Sequence, residues 1–356
     1  MSAQLPFSRV CIIGSGLIGT SIGLALSHKG ISVTMLDRDS RTQGIAQALM
    51  GNEGGDISGA ELVISAAPLS AFPLVVSTLE RATFSGVLID VASIKVKPLL
   101  EVTKSSLNAS NFLPTHPMAG REFSGAESAR ADLFEGRPWM IDSTGVEQKA
   151  LLWGKALIES LGAQVIDMPA ADHDQAVALV SHLPQLISSL LAKHLVGNPA
   201  SWLELSGAGL RDMTRIAASD SSLWKEIIAA NSAAIAPLLK SLAADLNALI
   251  SNIESESFIA GVIKDGQVGR ALIPGKHGGK AREYTYLPIV IDDKPGQLAA
   301  IFDECAKVSV NIEDLSIEHS PGQETGLITL AVSHADAITL RSHLESEGWD
   351  VHAPRS

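Results

Sequence analysis

Val10-Cys11-Ile12-Ile13-Gly14-Ser15-Gly16-Leu17-Ile18-Gly19 is the stretch that decides the fold. A short β-branched run passes into three glycines at G-x-G-x-x-G spacing, which open a helix. The glycines permit a tight turn and let a pyrophosphate approach the helix N-terminus, where unpaired N–H groups and the dipole favour an anion. A second strand, Ser32 to Leu36, ends at Asp37. That carboxylate is placed to accept hydrogen bonds from an adenosine ribose, and its charge repels a 2′-phosphate. Gly14, Ser15, Gly16, Leu17, Ile18, Gly19 and Asp37 therefore predict an NAD site, and the adjacent Arg38 is a cation that could meet a 2′-phosphate. The chain is uncharged from Val10 to Leu26, which imitates a secretory apolar segment, but the glycines break the continuous helix such a segment needs.

Outward from this unit, Leu62 to Ser65 and Val87 to Ile89 read as further buried strands, with a pair at Phe112–Leu113 and Trp139–Ile141. Strands alternating with helical patterns imply a parallel sheet covered on both faces, an α/β Rossmann dinucleotide-binding domain over residues 1–170. From about Asp172 to Ile259 strand signals vanish. An all-helical domain is expected over 171–262, and the apolar excess of Ile227, Ile228, Ile235, Leu238, Leu239, Leu242 and Leu246 predicts a homodimer interface. Residues 263–284, rich in glycine, lysine and arginine, read as a linker. Residues 285–356 then follow a βαββαβ order: a strand at Tyr286–Ile291, a turn at Asp293–Gly296, a helix with Leu298, Ile301, Phe302 and Cys305 on one face, strands at Ile312–Ile317 and Leu327–Val332 around Pro321-Gly322, a helix carrying Ala337, Leu340 and Leu344, and a last strand at Trp349–His352.

Composition narrows the classes. The chain has 356 residues, 46% hydrophobic and 19% charged, which excludes a disordered chain. A net charge of −12 argues against nucleic-acid binding. The two cysteines, Cys11 and Cys305, are too few for a disulfide scaffold or a cysteine-ligated metal, so a soluble cytoplasmic protein is expected, with no membrane span.

Chemistry-bearing residues cluster past the strand ends. Ser93, in Asp90-Val-Ala-Ser93-Ile-Lys95, and His116, in Thr115-His116-Pro117-Met118-Ala119-Gly120, lie where open α/β sheets bind ligands. A histidine with an ordinary pKa near ~6.5 can accept a proton at neutral pH, and Ser93 could hold the same hydroxyl or orient the imidazole. Asp172-His173-Asp174 reads as a helix start with carboxylates at its positive end. Pro184, beside His182, should kink that helix. His173 and His182, nine residues apart, fall on opposite helical faces, so no metal site is expected. Arg211 and Arg215 share a helical face, either as an Asp212–Arg215 pair or as a clamp for a substrate carboxylate, with Trp224 as a wall.

These segments together resemble the prephenate dehydrogenase family. HPMAGREFSGAESARADLF (His116 to Phe134), SHLP (Ser181 to Pro184) and GLRDMTRIAASDSSLW (Gly209 to Trp224) carry the resemblance, and DKPGQLAAIF with NIEDLSIEHS in the tail is similar to an ACT domain. The resemblance implies NAD-dependent oxidative decarboxylation of prephenate to 4-hydroxyphenylpyruvate in tyrosine biosynthesis. It implies that His116 takes the C4-hydroxyl proton while Ser93 holds that hydroxyl and the imidazole. Arg215 would bind a substrate carboxylate and His182 would contact the pyruvyl side chain. Glu122 and Asp212 would join a gating ion network, and Trp224 would line the pocket.

Gln185 departs from the family pattern, since many relatives have a histidine there. Arg121 stands where a smaller polar residue also occurs, and an extra cation beside the side-chain pocket would favour the keto acid prephenate over arogenate. The ACT resemblance implies an amino-acid effector, tyrosine, at Asp293, Gly296, Asn311 and Ile312, and Lys276-His277-Gly278 also recurs in ACT-bearing relatives. Arogenate or dual-specificity cyclohexadienyl dehydrogenase is the alternative, and a catalytically inactive NAD and amino-acid sensor a remote one. A generic β-hydroxyacid dehydrogenase would need a lysine base on the helical domain, where none stands out.

Overall fold

The computed structural model describes residues 5–51, 54–120, 125–273, 284–319 and 324–354. The chain forms two compact units, Met1–Ala244 and Asp245–Ser356. The first is built on a seven-stranded sheet from β1 (Arg9–Ile13), β2 (Ser32–Leu36), β3 (Leu62–Ser65), β4 (Val87–Asp90), β5 (Phe112–Pro117), β6 (Pro138–Ile141) and β7 (Gln164–Asp167). Their order is β2-β1-β3-β4-β5-β6-β7, and β1 to β5 run parallel. β6 turns antiparallel to β5, with β7 parallel to β6. β3 and β4 are buried along their full length, as expected of strands covered on both faces.

The covering helices are α1 (Leu17–Ser27), α2 (Ser40–Met50), α3 (Phe72–Arg81), α4 (Val96–Lys104) and α5 (Gln148–Ser160). One core joins Ile12, Ile22, Leu26, Ile64, Ile89, Leu113 and Trp139. A second joins Phe72, Val76, Leu79, Leu88 and Phe112. β1 lies between β2 and β3, so the crossover direction reverses at the carboxyl ends of β1 and β3, the switch point where such sheets hold ligands.

The helical region begins with α6 (Ala170–Val177) and α7 (Leu183–Lys193), joined by a π-helix at Ala178–His182. Pro184 sits in the first turn of α7, where its missing N–H costs nothing, and the expected kink takes the form of this π-turn. α8 (Ala200–Leu203), α9 (Ala208–Thr214), α10 (Ser221–Ala230) and α11 (Ser232–Ser251) follow. Ala178, Ala234 and Ile235 pack with Leu186, Ile228, Leu238 and Leu239, while Leu242 and Leu246 stay exposed. Ala170–Lys193 and Ser232–Ser251 are long and apolar enough to cross a membrane by length and composition alone, a test that core helices also pass.

The second unit begins within α11 and contains α12 (Glu256–Ala271). Residues 263–271 of the expected linker are therefore helical, so the helical region does not stop at residue 262. Ser255 caps this helix through the Phe258 N–H, and a sound start carries it past Gly266 and Gly269.

Beyond it lie β8 (Thr285–Asp292), α13 (Gln297–Lys307), β9 (Asp314–His319), β10 (Thr325–Val332), α14 (His334–Ser346) and β11 (Asp350–Val351). The sheet is antiparallel in the order β11-β8-β10-β9. Ala337, Leu340 and Leu344 enter its core as expected. On α13 only Ile301 and Cys305 do so, and Leu298 and Phe302 remain exposed. β9 starts at Asp314, two residues later than expected, leaving Ile312 in the preceding loop.

Candidate active site

Each glycine of the loop after β1 has a separate steric task. Gly14 has φ +111°, and a Cβ on it would stand 2.4 Å from the Ala66 carbonyl carbon. A Cβ on Gly19 would meet the Gly14 carbonyl oxygen at 2.0 Å. Gly16 is different, because a Cβ there would find no atom of the described residues within 4 Å. It stands at the N-cap of α1, whose end has no side-chain cap. Ser15 Oγ and Ser65 Oγ, at the ends of β1 and β3, are buried without a hydrogen-bond partner among the described residues. An uncapped helix end, open space at its glycine and two buried hydroxyls suit an anionic pyrophosphate.

Asp37 closes this loop from β2. Its Oδ2 accepts from the Ser15 N–H at 2.7 Å and its Oδ1 from the Asp39 N–H at 3.0 Å. Arg38 beside it is exposed.

At the end of β4 a buried ion pair organises the loops. Lys95 Nζ donates to Asp90 Oδ2 and to the Thr115 carbonyl. Asp90 also accepts from the backbone N–H groups of Thr115 at 3.1 Å and Ala92 at 3.2 Å. Thr115 Oγ1 donates back to the Asp90 carbonyl at 2.6 Å and accepts from Trp139 Nε1 at 2.9 Å. Burial pushes the Asp90 carboxyl up and the Lys95 ammonium down, and their contact opposes both shifts. Ser93 lies half-buried in the same loop.

His116 sits near the end of β5. Its Nδ1 lies 2.9 Å from His173 Nε2, with the two rings nearly perpendicular at 83°. His173 Nδ1 contacts Asp174 Oδ1 at 2.8 Å. Asp174 does not serve the start of its own helix as the sequence suggested. It caps α4 instead, accepting from the Lys95 N–H at 2.8 Å and the Val96 N–H at 3.0 Å. Burial, then the Lys95 ammonium, then the imidazoles of His173 and His182 hold His116 well below the ordinary histidine range. The ring therefore offers a lone pair at neutral pH, as a weaker base than an ordinary histidine.

His182 is buried and packs edge-on against Trp224, with ring centroids 6.0 Å apart. Burial is the main cause that brings its pKa down to about 4, with Asp174 opposing and His173 adding to it. Asn231 Nδ2 donates to the Asp174 carbonyl at 2.7 Å and lies 3.2 Å from His182 Nδ1. A uniform α-helix would set His173 and His182 on opposite faces, but the π-turn between them changes the phase.

Gln185 also has a task. Its Nε2 donates to the Ile216 carbonyl at 2.9 Å, and its Oε1 lies 3.4 Å from Ser219 Oγ. It thereby ties α7 to the 3₁₀ turn Arg215–Ala218. The helix tightens at Arg215, so Arg211 and Arg215 do not continue one α-helical face. Arg211, Asp212 and Arg215 are all exposed.

Thus His116 and His182 converge with Trp224 nearby, and Ser93 lies in the adjoining loop. Arg121 and Glu122 fall outside the described residues, as do Lys276-His277-Gly278 and Pro321-Gly322. In the second unit Asp293 and Asn311 are exposed, Gly296 caps α13 at φ +93°, and Ile312 precedes β9. Sequence reasoning assigned no role in the site to Lys95, His173, Asp174 or Asn231. The adjacent His173-Asp174 pair was visible, but nothing local to it points at β5.

Comparison with known proteins gives two family matches: "Prephenate dehydrogenase, nucleotide-binding domain" over residues 22–167 and "Prephenate dehydrogenase, dimerization domain" over 169–259. A probable prephenate dehydrogenase, NovF, of Streptomyces niveus is 29% identical, covering 96% of this chain and 99% of its own. A cyclohexadienyl dehydrogenase of Zymomonas mobilis is also 29% identical, over 76% of this chain and 98% of its own. Among solved structures, a prephenate dehydrogenase from A. aeolicus in complex with hydroxyphenyl propionate and NAD⁺ is similar at TM-score 0.66. It is 25% identical, over 75% of this chain and 98% of that one.

Proposed function

This chain belongs to the prephenate dehydrogenase family, and from that premise we propose that it converts prephenate to 4-hydroxyphenylpyruvate and carbon dioxide with NAD as oxidant. It is an NAD-dependent oxidoreductase. Bound NAD⁺ supplies the acceptor for the hydride that leaves C4. His116 takes the C4-hydroxyl proton, and Ser93 holds that hydroxyl in line. The electrons released as the ring carboxylate leaves make the ring aromatic, so the protein's contribution is positioning and proton acceptance.

The observation that carries this reading is His116 at the end of β5, in contact with His173 at 2.9 Å, on the same sheet whose β1 runs into the glycine loop. β1 and β5 are three strand spacings apart, roughly 14 Å, and one extended ligand can address both ends. Arg215 is assigned to a substrate carboxylate, with His182 and Trp224 against the side chain. Asp212 and Glu122 are assigned to the surrounding ion network.

Arg121 rests on charge alone, as a cation favouring the keto acid. Arg121→Thr is expected to lower the prephenate-to-arogenate ratio of kcat/KM, and an unchanged ratio would remove that assignment. The exposed apolar positions Leu242 and Leu246 are assigned to a second copy of the chain.

The antiparallel βαββαβ order of residues 285–351 supports reading that module as an ACT domain. Tyrosine is its proposed effector, at the Asp293–Gly296 turn and the Asn311-Ile312 loop. The experiment is NADH formation from prephenate and, separately, from arogenate, each with and without tyrosine. Prephenate turnover suppressed by tyrosine supports both parts, preference for arogenate overturns the substrate assignment, and no turnover of either points to a sensor.

A further inference from the structure

We propose that Asp174 and His173 act as positioning residues that lock His116 in one tautomer, with its proton on Nδ1 and Nε2 bare toward the substrate hydroxyl. The inference rests on the reading of His116 as the base and adds how that base is made competent. An ionised carboxylate can only accept. Asp174 accepts from two backbone N–H groups at the start of α4, at 2.8 and 3.0 Å, so both of its oxygens already serve as acceptors. The nitrogen 2.8 Å from it, His173 Nδ1, is therefore the donor.

A neutral imidazole carries one proton, so His173 Nε2 is then a bare acceptor. It stands 2.9 Å from His116 Nδ1. Two bare nitrogens repel at that distance, so the proton between the rings belongs to His116 Nδ1. The lone pair of His116 is left on Nε2, the atom that does not face His173. The opposite assignment needs a proton on each nitrogen of His173, since the one on Nδ1 is already directed at Asp174.

The arrangement is also rigid. His173 is 1% exposed and Asp174 5%, and the Asp174 carbonyl is held by Asn231 at 2.7 Å. His116 Nε2 gains the hydroxyl proton and the ring becomes an imidazolium. Its positive charge then faces Asp174 through a hydrogen-bonded His173, the logic by which a buried carboxylate orients and supports a catalytic imidazole.

The first test needs no substitution in the protein observed. In protein labelled with ¹⁵N-histidine, the His116 ring signals are identified by their loss in His116→Asn. Nδ1 protonated and Nε2 bare at pH 7 is the expected result, and the reverse tautomer overturns the inference. The kinetic arm uses His173→Phe, which keeps the ring volume without the acceptor, and His173→Gln, whose amide oxygen can stand where Nε2 was.

His173→Phe should lower kcat with prephenate by about 10²-fold or more, leaving KM within about twofold. His173→Gln should recover most of the loss. Wild-type kcat in His173→Phe, or equal losses in both variants, overturns the inference. An inactive His116→Asn beside an unaffected His173→Phe overturns this inference alone. An active His116→Asn overturns the base reading and this inference with it.

Discussion

A Cβ on Gly14 would lie 2.4 Å from the carbonyl carbon of Ala66, where β1 and β3 end side by side, whereas one on Gly16 would touch no atom of the described residues within 4 Å. The two glycines are therefore needed for different reasons. Gly14 is needed by the fold, since its φ of +111° and its neighbour both exclude a side chain. Gly16 meets no such neighbour among the described residues, and its proposed task is to leave room for the pyrophosphate.

Gly14→Ala should accordingly lower the thermal midpoint, with loss of soluble protein. Gly16→Ala should keep the wild-type midpoint and weaken NADH binding, read by fluorescence titration, by tenfold or so. If Gly16→Ala binds NADH as the wild type does, the pyrophosphate does not lie at this helix end.

The buried Asp90–Lys95 pair should matter more when broken than when replaced. Lys95→Met leaves a carboxylate buried without its cation, and a loss of about 3–5 kcal/mol in urea unfolding is expected. Adding Asp90→Asn should return part of it. Equal destabilisation in the single and double variants would show that the charge pair is not what Lys95 contributes.

Stability should depend on pH through His182. Its folded pKa is about 4, below the ordinary ~6.5 of an unfolded chain. Between those values the unfolded state binds more protons, so stability rises with pH and falls as the solution is acidified from about 6.5 toward 4. The full difference is on the order of 3 kcal/mol. His182→Asn should flatten that slope in denaturation curves taken across the window, and an unchanged slope would locate the effect elsewhere.

Gln185 should act on substrate binding through the turn that carries Arg215. Gln185→Leu removes the 2.9 Å donor to the Ile216 carbonyl, which keeps the Ser219 hydroxyl at 2.7 Å and the Ser219 N–H at 3.2 Å, a cost of about 0.5–1.5 kcal/mol. The expected kinetic result is a raised KM for prephenate with a smaller change in kcat, in the same sense as Arg215→Ala. A pure kcat effect would contradict the assignment of Arg215 to binding.

Much of this was legible along the chain because it is local. The strand, turn and helix around Gly14–Gly19 are written within about twenty residues, in β-branched runs and glycine spacing. β3 and β4 announced themselves as short apolar runs because both of their faces are covered. β7 did not, since it is an edge strand with a mostly exposed pattern. The helix running to Ala271 was hidden by glycines that weaken helical propensity, although the Ser255 cap gives it a firm start.

His116 could be proposed from its place after a strand, yet its partner could not. His173 is 57 residues away, and the π-turn at Ala178–His182 undoes the helical phase from which His182 would be placed. Asp174 looked like a carboxylate serving its own helix and instead caps another, 79 residues from Lys95. Backbone geometry and side-chain periodicity are properties of neighbouring residues and survive in the one-dimensional pattern. Which nitrogen of a histidine holds its proton depends on what lies across a 2.9 Å gap, and only the packing of helix against sheet creates that gap.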